Sequence, residues 1–420
     1  MKTRINLDNS HLKDYGLSPH EVDWLKNVKK KAFSRFKTQN IPSKKHEEWR
    51  YTNVEPLIQK CFELVAKKSI SNLKKDNSFT QTHDDNNIFI YYANGEFCFA
   101  DNLPPYIKTL RSSEDQVNLE TLLNFENEKK YSPFSDLNTL LLSDVLIIET
   151  LKNQNIDATI HIIICSDIEQ NITPRLQIKL RENSSIRIFE HCLSSNSCVI
   201  NSLTEINCEK NSRLDYFKII DEQEYGYHLN LSNIRLAKSS SFNFFSWDSG
   251  ANISRNNINV DLMAENASVN LNTLFSPREK LHIDNQLKIK HFAEKCESSL
   301  DYRGILKDQS TGVFGGEIYV DPGATDTQSD MKNRNLLLSD DARINTKPVL
   351  EIYNEDVQCT HSATSGCLEE EKIFYIKSRG IKASDAMNIL IQSFASELVE
   401  KIKNSQMKRI FQEYLVKNLL

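Results

Sequence analysis

The sequence lacks the features that mark several large classes of protein. Its nine cysteines are an odd number with no CxxC pair, which argues against a disulfide framework or a zinc finger. No apolar run approaches the roughly 18 residues of a membrane-spanning helix. The N-terminus, MKTRINLDNSHLKDYG, lacks the apolar core of a signal peptide. These absences predict a cytoplasmic chain with reduced thiols and no membrane association.

An excess of one charge is also missing. The 420 residues carry 52 Lys and Arg against 57 Asp and Glu, a net charge of −5, and the basic residues are scattered. A nucleic-acid partner is therefore not expected. Hydrophobic residues make up 39% and charged residues 26%, a balance typical of a globular protein. The length allows two or three structural units or one elongated fold.

Common catalytic motifs are absent as well. Residues 312–316, GVFGG, are too short for a P-loop and lack the following Lys and Ser or Thr, so we expect a tight turn there. There is no GxSxG or HExxH motif. Acidic residues occur in runs such as 369–371, but nothing indicates two carboxylates converging on a substrate. We expect no enzyme, and any nucleotide site would belong to another chain.

Several segments before residue 150 show clear periodicity. Ser18 to Glu21 form a capping box, and apolar residues then recur at helical spacing up to Phe36. Two alternating runs around Asn94 and Gly95 predict a β-hairpin with a type I′ turn. SPFSDLNTLLLSDVLIIE, residues 132–149, predicts a further helix with one apolar face.

The middle of the chain repeats itself. Each repeat has a short alternating strand, a small polar turn and a second alternating strand, and the turns start at Asn183, Asn211, Ser239 and Asn266, with spacings of 28, 28 and 27 residues. A fifth turn is expected near Cys296. A fixed period of this length without crossover helices favours the stacked coils of a β-solenoid. A β-sandwich of regular hairpins is the alternative.

The C-terminus returns to helix. Residues 368–378 predict one helix ended by Gly380, Ser384 is expected to cap the next, and a third is expected to begin near Gln406. The second helix carries an apolar stripe of Met387, Leu390, Ile391, Phe394, Leu398 and Ile402. This stripe is expected to pack on the end of the solenoid or to bind a partner, because an open coil presents unpaired strand edges.

Cys359 and His361 are the candidate metal ligands. In an extended segment, residues two apart face the same side, and a thiolate with an imidazole suits iron or zinc. Two ligands are too few for a closed site, which needs four. On the residues alone, this pair is either incidental or half of a site that another element completes.

Four stretches, taken in order, resemble a known family. They are KHEEWRYTN, SDVLIIE, RENSSIRIFEHCLSS, and LLLSDDARINTKPVLEIYNEDVQCTHSATSG with the LEEEKIFYIKSRGI that follows. They are similar to the SufB/SufD proteins of the SUF iron–sulfur cluster assembly system over roughly residues 40–400. The resemblance implies a mainly β fold, with a right-handed parallel β-helix (β-solenoid) core between N-terminal and C-terminal α-helical regions.

The implied division has four regions. They are an N-terminal helical region (1–80), a β-hairpin and helix leading into the core (81–150), the β-helix core (151–366) and a C-terminal helical domain (367–420). The resemblance also implies a non-enzymatic scaffold that pairs with a SufB-type paralogue and binds a SufC-type ABC ATPase through its C-terminal helices. A transient iron–sulfur cluster would be shared with the paralogue, and flavin binding by the assembly is left open. The ATPase contact would involve Phe374, Arg379, Gly380, Met387 and Phe394.

The departures from the family pattern favour the D subtype. The segment 332–337, where B-type members carry a cysteine, has none. His361 matches a histidine that D-type members place at the interface with the B-type subunit, and Cys359 matches a residue often present there. The usual glycine after this histidine is Ser362. Two alternatives stay open, an independent polysaccharide-acting solenoid enzyme and a B-type paralogue acting as a homodimer. A homodimer of the isolated chain is a further option.

Overall fold

The computed structural model describes residues 23–39, 41–66, 87–93, 95–99, 103–110, 132–166, 168–194, 197–222 and 225–419. The described helices are α1 (Asp23–Thr38), α2 (Glu55–Ala66), α3 (Pro133–Leu140), α4 (Glu370–Ser378), α5 (Ala383–Val399) and α6 (Ser405–Leu419). Among them, none is long and apolar enough to cross a membrane. The Ser18 capping box and Asn94 lie outside the described residues.

The strands of the first half are β1 (Asn87–Ala93), β2 (Glu96–Cys98), β3 (Ile107–Thr109), β4 (Leu146–Glu149), β5 (Asn155–Ser166), β6 (Asn171–Ile172), β7 (Arg175–Leu180), β8 (Ser185–Ser194), β9 (Val199–Cys208) and β10 (Arg213–Glu222). Those of the second half are β11 (Tyr227–Leu236), β12 (Ser241–Gly250), β13 (Ile253–Leu262), β14 (Ser268–Phe275), β15 (His282–His291), β16 (Glu297–Leu306), β17 (Thr311–Val320), β18 (Thr327–Leu337), β19 (Arg343–Ile352) and β20 (Val357–Gly366).

These strands form a β-solenoid of about seven turns. Sheet A contains β1, β2, β5 and the even strands from β8 to β20, and sheet B contains β3, β4, β6 and the odd strands from β7 to β19. Each even strand is parallel to the even strands before and after it, as β10 is to β8 and β12. A sandwich of hairpins would instead pair consecutive strands in antiparallel fashion. The predicted solenoid is therefore confirmed, and the sandwich alternative is wrong.

The repeating turns lie at one corner of the solenoid. The four predicted turn positions all have a left-handed backbone, with φ of 56° at Asn183, 57° at Asn211, 55° at Ser239 and 59° at Asn266. At the fifth predicted turn the left-handed residue is Lys295, with φ of 58°, one position before the predicted Cys296. Asparagine tolerates this conformation better than most residues. Asn211 Nδ2 donates to Asn183 Oδ1 at 2.9 Å, so successive coils are also joined side chain to side chain.

Helices cover the outer faces of both sheets. Ala32 and Phe36 of α1 pack with α2, α3 and the outward residues of sheet B, in the cluster that contains Trp49, Leu57, Phe134, Tyr227 and Ile253. Ile391 and Leu398 of α5 pack with α6 on the outward aromatic residues of sheet A, Phe189, Phe217, Phe245 and Trp247. The C-terminal stripe thus lies on a face of the solenoid, not on its end as one expectation had it.

Three local predictions need correction. The helix predicted for 132–149 ends at Leu140, and Leu146–Glu149 is a strand paired with β7. Val145, Leu146, Ile147 and Ile148 are all buried, so their spacing carried no information about one helical face. Residues 312–316 lie inside strand β17 and are not a turn. Helix α5 begins after Lys382 without the expected Ser384 cap.

Candidate functional site

The last coil of the solenoid is open. Strand β19 ends sheet B and pairs only with β17, and strand β20 ends sheet A and pairs only with β18, within the described part of the chain. Earlier strands bury their inward residues against the next coil, whereas no residue of β19 or β20 is fully buried. The inward apolar residues Leu350 and Val357 rest on the core from one side only. Both sheets therefore expose backbone edges and a cross-section of the core here.

Cys359 and His361 lie at the mouth of this open lumen. In β20 they are beside Ser329 and Met331 of β18, two residues that face inward and are buried. Because side chains alternate along a strand, Cys359 and His361 point toward the lumen from the same face. Cys359 is half-buried against the core, and this burial raises the pKa of its thiol. His361 is exposed, and no further coil of the described residues covers it.

A polar pocket of about 330 Å³ lies on the even strands β14 to β20 of sheet A, on the face opposite to this pair. Its lining includes Gln358 and Thr360, the two neighbours of Cys359 in sequence. Thr360 Oγ1 donates to Asp330 Oδ1 at 2.9 Å. Burial raises the pKa of Asp330, but hydrogen bonds from Lys332 and Thr360 outweigh it and hold the pKa below its usual range. The Asp330 carboxylate, on the outward face of β18, is therefore already hydrogen-bonded to protein donors.

The part of the chain that the structure describes does not complete a metal site from the usual ligand types. Among the described residues, no three His, Cys, Asp or Glu side chains converge as metal ligands. No disulfide bond joins two cysteines of the described residues.

The residues expected to contact an ATPase are not equally accessible. Phe374 is 73% exposed, Met387 is 40% exposed, and Arg379 and Gly380 are also exposed. Helix α4, which carries Phe374, has no buried residue. Gly380 has φ of 86° and follows the end of α4, as predicted for a left-handed cap. Phe394, by contrast, is half-buried, and its backbone carbonyl accepts from Arg303 Nη1.

Sequence reasoning missed the ionic cluster that holds α5 on sheet A. Asp301 accepts from Lys401 Nζ at 2.7 Å and from Arg334 Nη2 at 2.8 Å, and it also pairs with Arg303. Burial raises the pKa of Asp301, but Lys401 and Arg303 outweigh it and lower the pKa overall. Asp301 and Arg303 are almost completely buried. The alternation of β16 places Asp301 and Arg303 on its outward face, where charged residues are usually exposed to solvent. The sequence therefore gives no sign that helix α5 buries them.

The KHEEWRYTN stretch has a structural explanation. The Arg255 guanidinium lies 3.6 Å from the centre of the Trp49 ring and pairs with the buried carboxylate of Asp284. Thr52 Oγ1 donates to the same carboxylate at 2.5 Å. Arg255 Nη1 also donates to the Glu48 carbonyl at 2.9 Å. This segment therefore fastens the N-terminal helices to the outer face of sheet B.

The described residues define a β-solenoid with terminal helices, whose last coil leaves one strand edge of each sheet unpaired. The sequence matches two family profiles: the SufBD protein N-terminal region over residues 12–162, and the SufBD core domain of SUF system FeS cluster assembly over residues 163–394. The core profile alone spans more than half of the chain. The chain belongs to the SufB/SufD family, and among its members it is SufD-like.

Individual relatives cover nearly the whole chain. The iron–sulfur cluster assembly protein SufD of Escherichia coli is 28% identical over 381 residues, 88% of this chain and 87% of the relative. An iron–sulfur cluster assembly SufBD family protein of Synechocystis is 26% identical over 426 residues, 96% of this chain and 93% of the relative. SufD of Bacillus subtilis is 24% identical over 448 residues and covers 97% of both chains.

Proposed function

We propose that this chain is a non-catalytic scaffold subunit of a cytoplasmic SUF iron–sulfur cluster assembly complex. It pairs with a SufB-type paralogue at its open coil and with a SufC-type ABC ATPase at its C-terminal helices. The observation that carries the proposal is the open last coil, which presents two strand edges and the Cys359–His361 pair together. The relatives named for iron–sulfur cluster assembly support the chemistry.

Pairing at the open coil follows from the physics of strand edges. An uncovered edge of ten residues in each sheet offers a row of backbone donors and acceptors, which proteins usually blunt or pair. A paralogue with the same kind of open coil could extend both sheets and cover the exposed lumen. In isolation, a second copy of this chain could fill the same place.

The proposed metal role also depends on a partner that covers the last coil. Cys359 and His361 supply two ligands at the lumen mouth, and a partner seated there would bring the others within reach. The iron–sulfur cluster is then a cargo held between subunits during assembly, and neither chain holds it alone. His361 is the more accessible of the two side chains, so it takes the leading role.

The His361→Ala variant tests the ligand role. Co-expressed anaerobically with the paralogue and the ATPase, it should still assemble but should contain much less iron and acid-labile sulfide. His46→Ala, which removes an exposed histidine far along the chain, is the control and should behave as the unaltered protein. A normal cluster content in an intact His361→Ala complex would rule out the ligand role.

The ATPase contact is tested on helix α4. Because Phe374 and Tyr375 are 73% and 60% exposed, Phe374→Ala with Tyr375→Ala should leave the fold intact while abolishing co-purification of the ATPase. Val416→Ala on α6, at a residue that is 57% exposed, is the matched control. Full ATPase recovery with the double variant would contradict this part of the proposal. Activity of the chain alone on a polysaccharide would instead favour the enzyme alternative.

A further inference from the structure

A third potential metal donor lies directly beneath the pair at the lumen mouth. Met331 is the register neighbour of His361 in the adjacent strand and is fully buried. Its sulfur lies against Gly316 on the opposite wall, since any side chain at Gly316 would collide with it. Gly316 in turn is beside Pro348 of β19. The thioether therefore spans the lumen one layer below the last coil.

The spacing of the layers suits an ion held between them. Neighbouring strands lie about 4.8 Å apart. Bonds from first-row metals are about 2.3 Å to sulfur and about 2.0 Å to imidazole nitrogen. These two bond lengths together are comparable with the spacing of adjacent strands, on which Met331 and His361 are register neighbours. Cys359 faces the lumen two residues from His361, and its register neighbour Ser329 is two residues from Met331, so its thiol projects from the same face of sheet A.

We propose that the open lumen mouth binds monovalent copper through Cys359, His361 and Met331. A thiolate and a thioether are soft ligands, which select Cu(I) over harder ions. Three ligands satisfy Cu(I), whereas zinc prefers four. The lack of three converging His, Cys, Asp or Glu side chains among the described residues removes the cage that a harder ion would need. The Cys359 thiol loses its proton to solvent as the copper–sulfur bond forms, and copper keeps its oxidation state.

This site belongs to the free chain. It uses only residues of this protein, so copper binding does not depend on the paralogue or on the scaffold role. Five of the nine cysteines, Cys61, Cys192, Cys198, Cys208 and Cys296, are buried. Cys98 and Cys367 are exposed and are competing positions for a soft metal. The experiment must therefore distinguish copper bound at the lumen mouth from copper bound by these surface thiols.

Competition with the chelator bicinchoninate under anaerobic conditions measures the affinity of the purified chain for Cu(I). One tight copper per chain is expected, and Met331→Leu, Cys359→Ser and His361→Ala should each weaken it at least about 10-fold. Leucine replaces methionine at nearly constant volume, so the fold should survive. Met263→Leu, at a methionine that is 51% exposed, and Cys367→Ser are the matched controls and should bind as the unaltered chain does.

X-ray absorption at the copper edge gives a second, independent readout. The unaltered chain should show two sulfur neighbours and one nitrogen, and Met331→Leu should lose one sulfur. A spectrum of the unaltered chain with a single sulfur would overturn the proposal without any variant. Unchanged affinity in Met331→Leu, or loss of binding in Cys367→Ser with normal binding in Cys359→Ser, would do the same.

Discussion

At the first end of the solenoid, the outermost described strands are three residues long and antiparallel to their neighbours, β2 on β1 and β3 on β4. At the last end, β19 and β20 are ten residues long and parallel to theirs. Phe97 of β2 is buried, with its ring centre 4.6 Å from that of Tyr92. Short antiparallel strands stop a sheet, whereas long parallel strands leave it ready to continue. Among the described residues, only the last end therefore leaves long strand edges unpaired, as the proposed pairing with another chain requires.

The largest expected effect tests whether the first end is a true cap. Phe97 is 7% exposed and Ile352, in the last coil, is 38% exposed. Phe97→Ala should lower the free energy of unfolding by about 3–5 kcal/mol, because it leaves a cavity in the core. Ile352→Ala should lower it by less than about 1 kcal/mol in the free chain. Urea unfolding followed by circular dichroism measures both.

The control for this comparison lies in the same hairpin. Phe99 is 36% exposed and two residues beyond Phe97, so Phe99→Ala should change the free energy of unfolding little. Equal losses of unfolding free energy in Phe97→Ala and Ile352→Ala would mean that the core is covered equally well at the two ends of the solenoid. In that case the open coil would no longer argue for a partner.

A smaller effect reports whether the last coils stay closed in the free chain. His291 of β15 is fully buried, and its Nε2 is 2.9 Å from Ser298 Oγ. Burial lowers the pKa of His291 to about 4. An unfolded histidine has a pKa near 6.5. Between these values the unfolded chain binds one more proton, so stability falls as the pH is lowered from about 6.5 to about 4.

His291→Gln should remove this contribution. Relative to the unaltered chain, the variant should lose about 3 kcal/mol less stability between pH 6.5 and pH 4, since carboxylates titrate alike in both. Urea unfolding at a series of pH values measures the difference. If the last coils opened in the free chain, water would reach His291 and the two proteins would show the same pH dependence. The exposed His46, changed to Gln, is the control.

Local chemistry explains which parts of the fold the sequence could predict. The corners at Asn183, Asn211, Ser239 and Asn266 were predictable because a polar turn residue at a fixed period is a local signal. The end of α3 at Leu140 was not, because burial on every side makes residues 145–148 compatible with helix and strand alike. The face of the solenoid that receives the C-terminal helices is decided by outward aromatic residues on three successive coils, which no local pattern shows.

The candidate site likewise has one feature that the sequence predicts and two that only the structure shows. That Cys359 and His361 share a face follows from the two-residue period of a strand and needs no structure. That this face looks into an uncovered lumen depends on β20 being the last strand of its sheet. That Met331 lies beneath His361 depends on the register between β18 and β20, which all the preceding coils fix. Neither fact has a signal within the segment itself.

The smallest expected effect concerns the corner that runs between the two ends. Asn211 and Asp326 have φ of 57° and 55°, but Asn211 also donates to Asn183 from its side chain. Alanine at either position should cost about 1–2 kcal/mol, because a left-handed backbone is strained for it. Asn211→Ala should cost roughly 0.5 kcal/mol more than Asp326→Ala, since it also breaks an exposed hydrogen bond between coils. Urea unfolding of both variants measures the difference, and Asn211→Gly, which removes the hydrogen bond without the backbone strain, separates the two causes. Equal costs for Asn211→Ala and Asp326→Ala would mean that the side-chain hydrogen bond between Asn211 and Asn183 contributes nothing to stability.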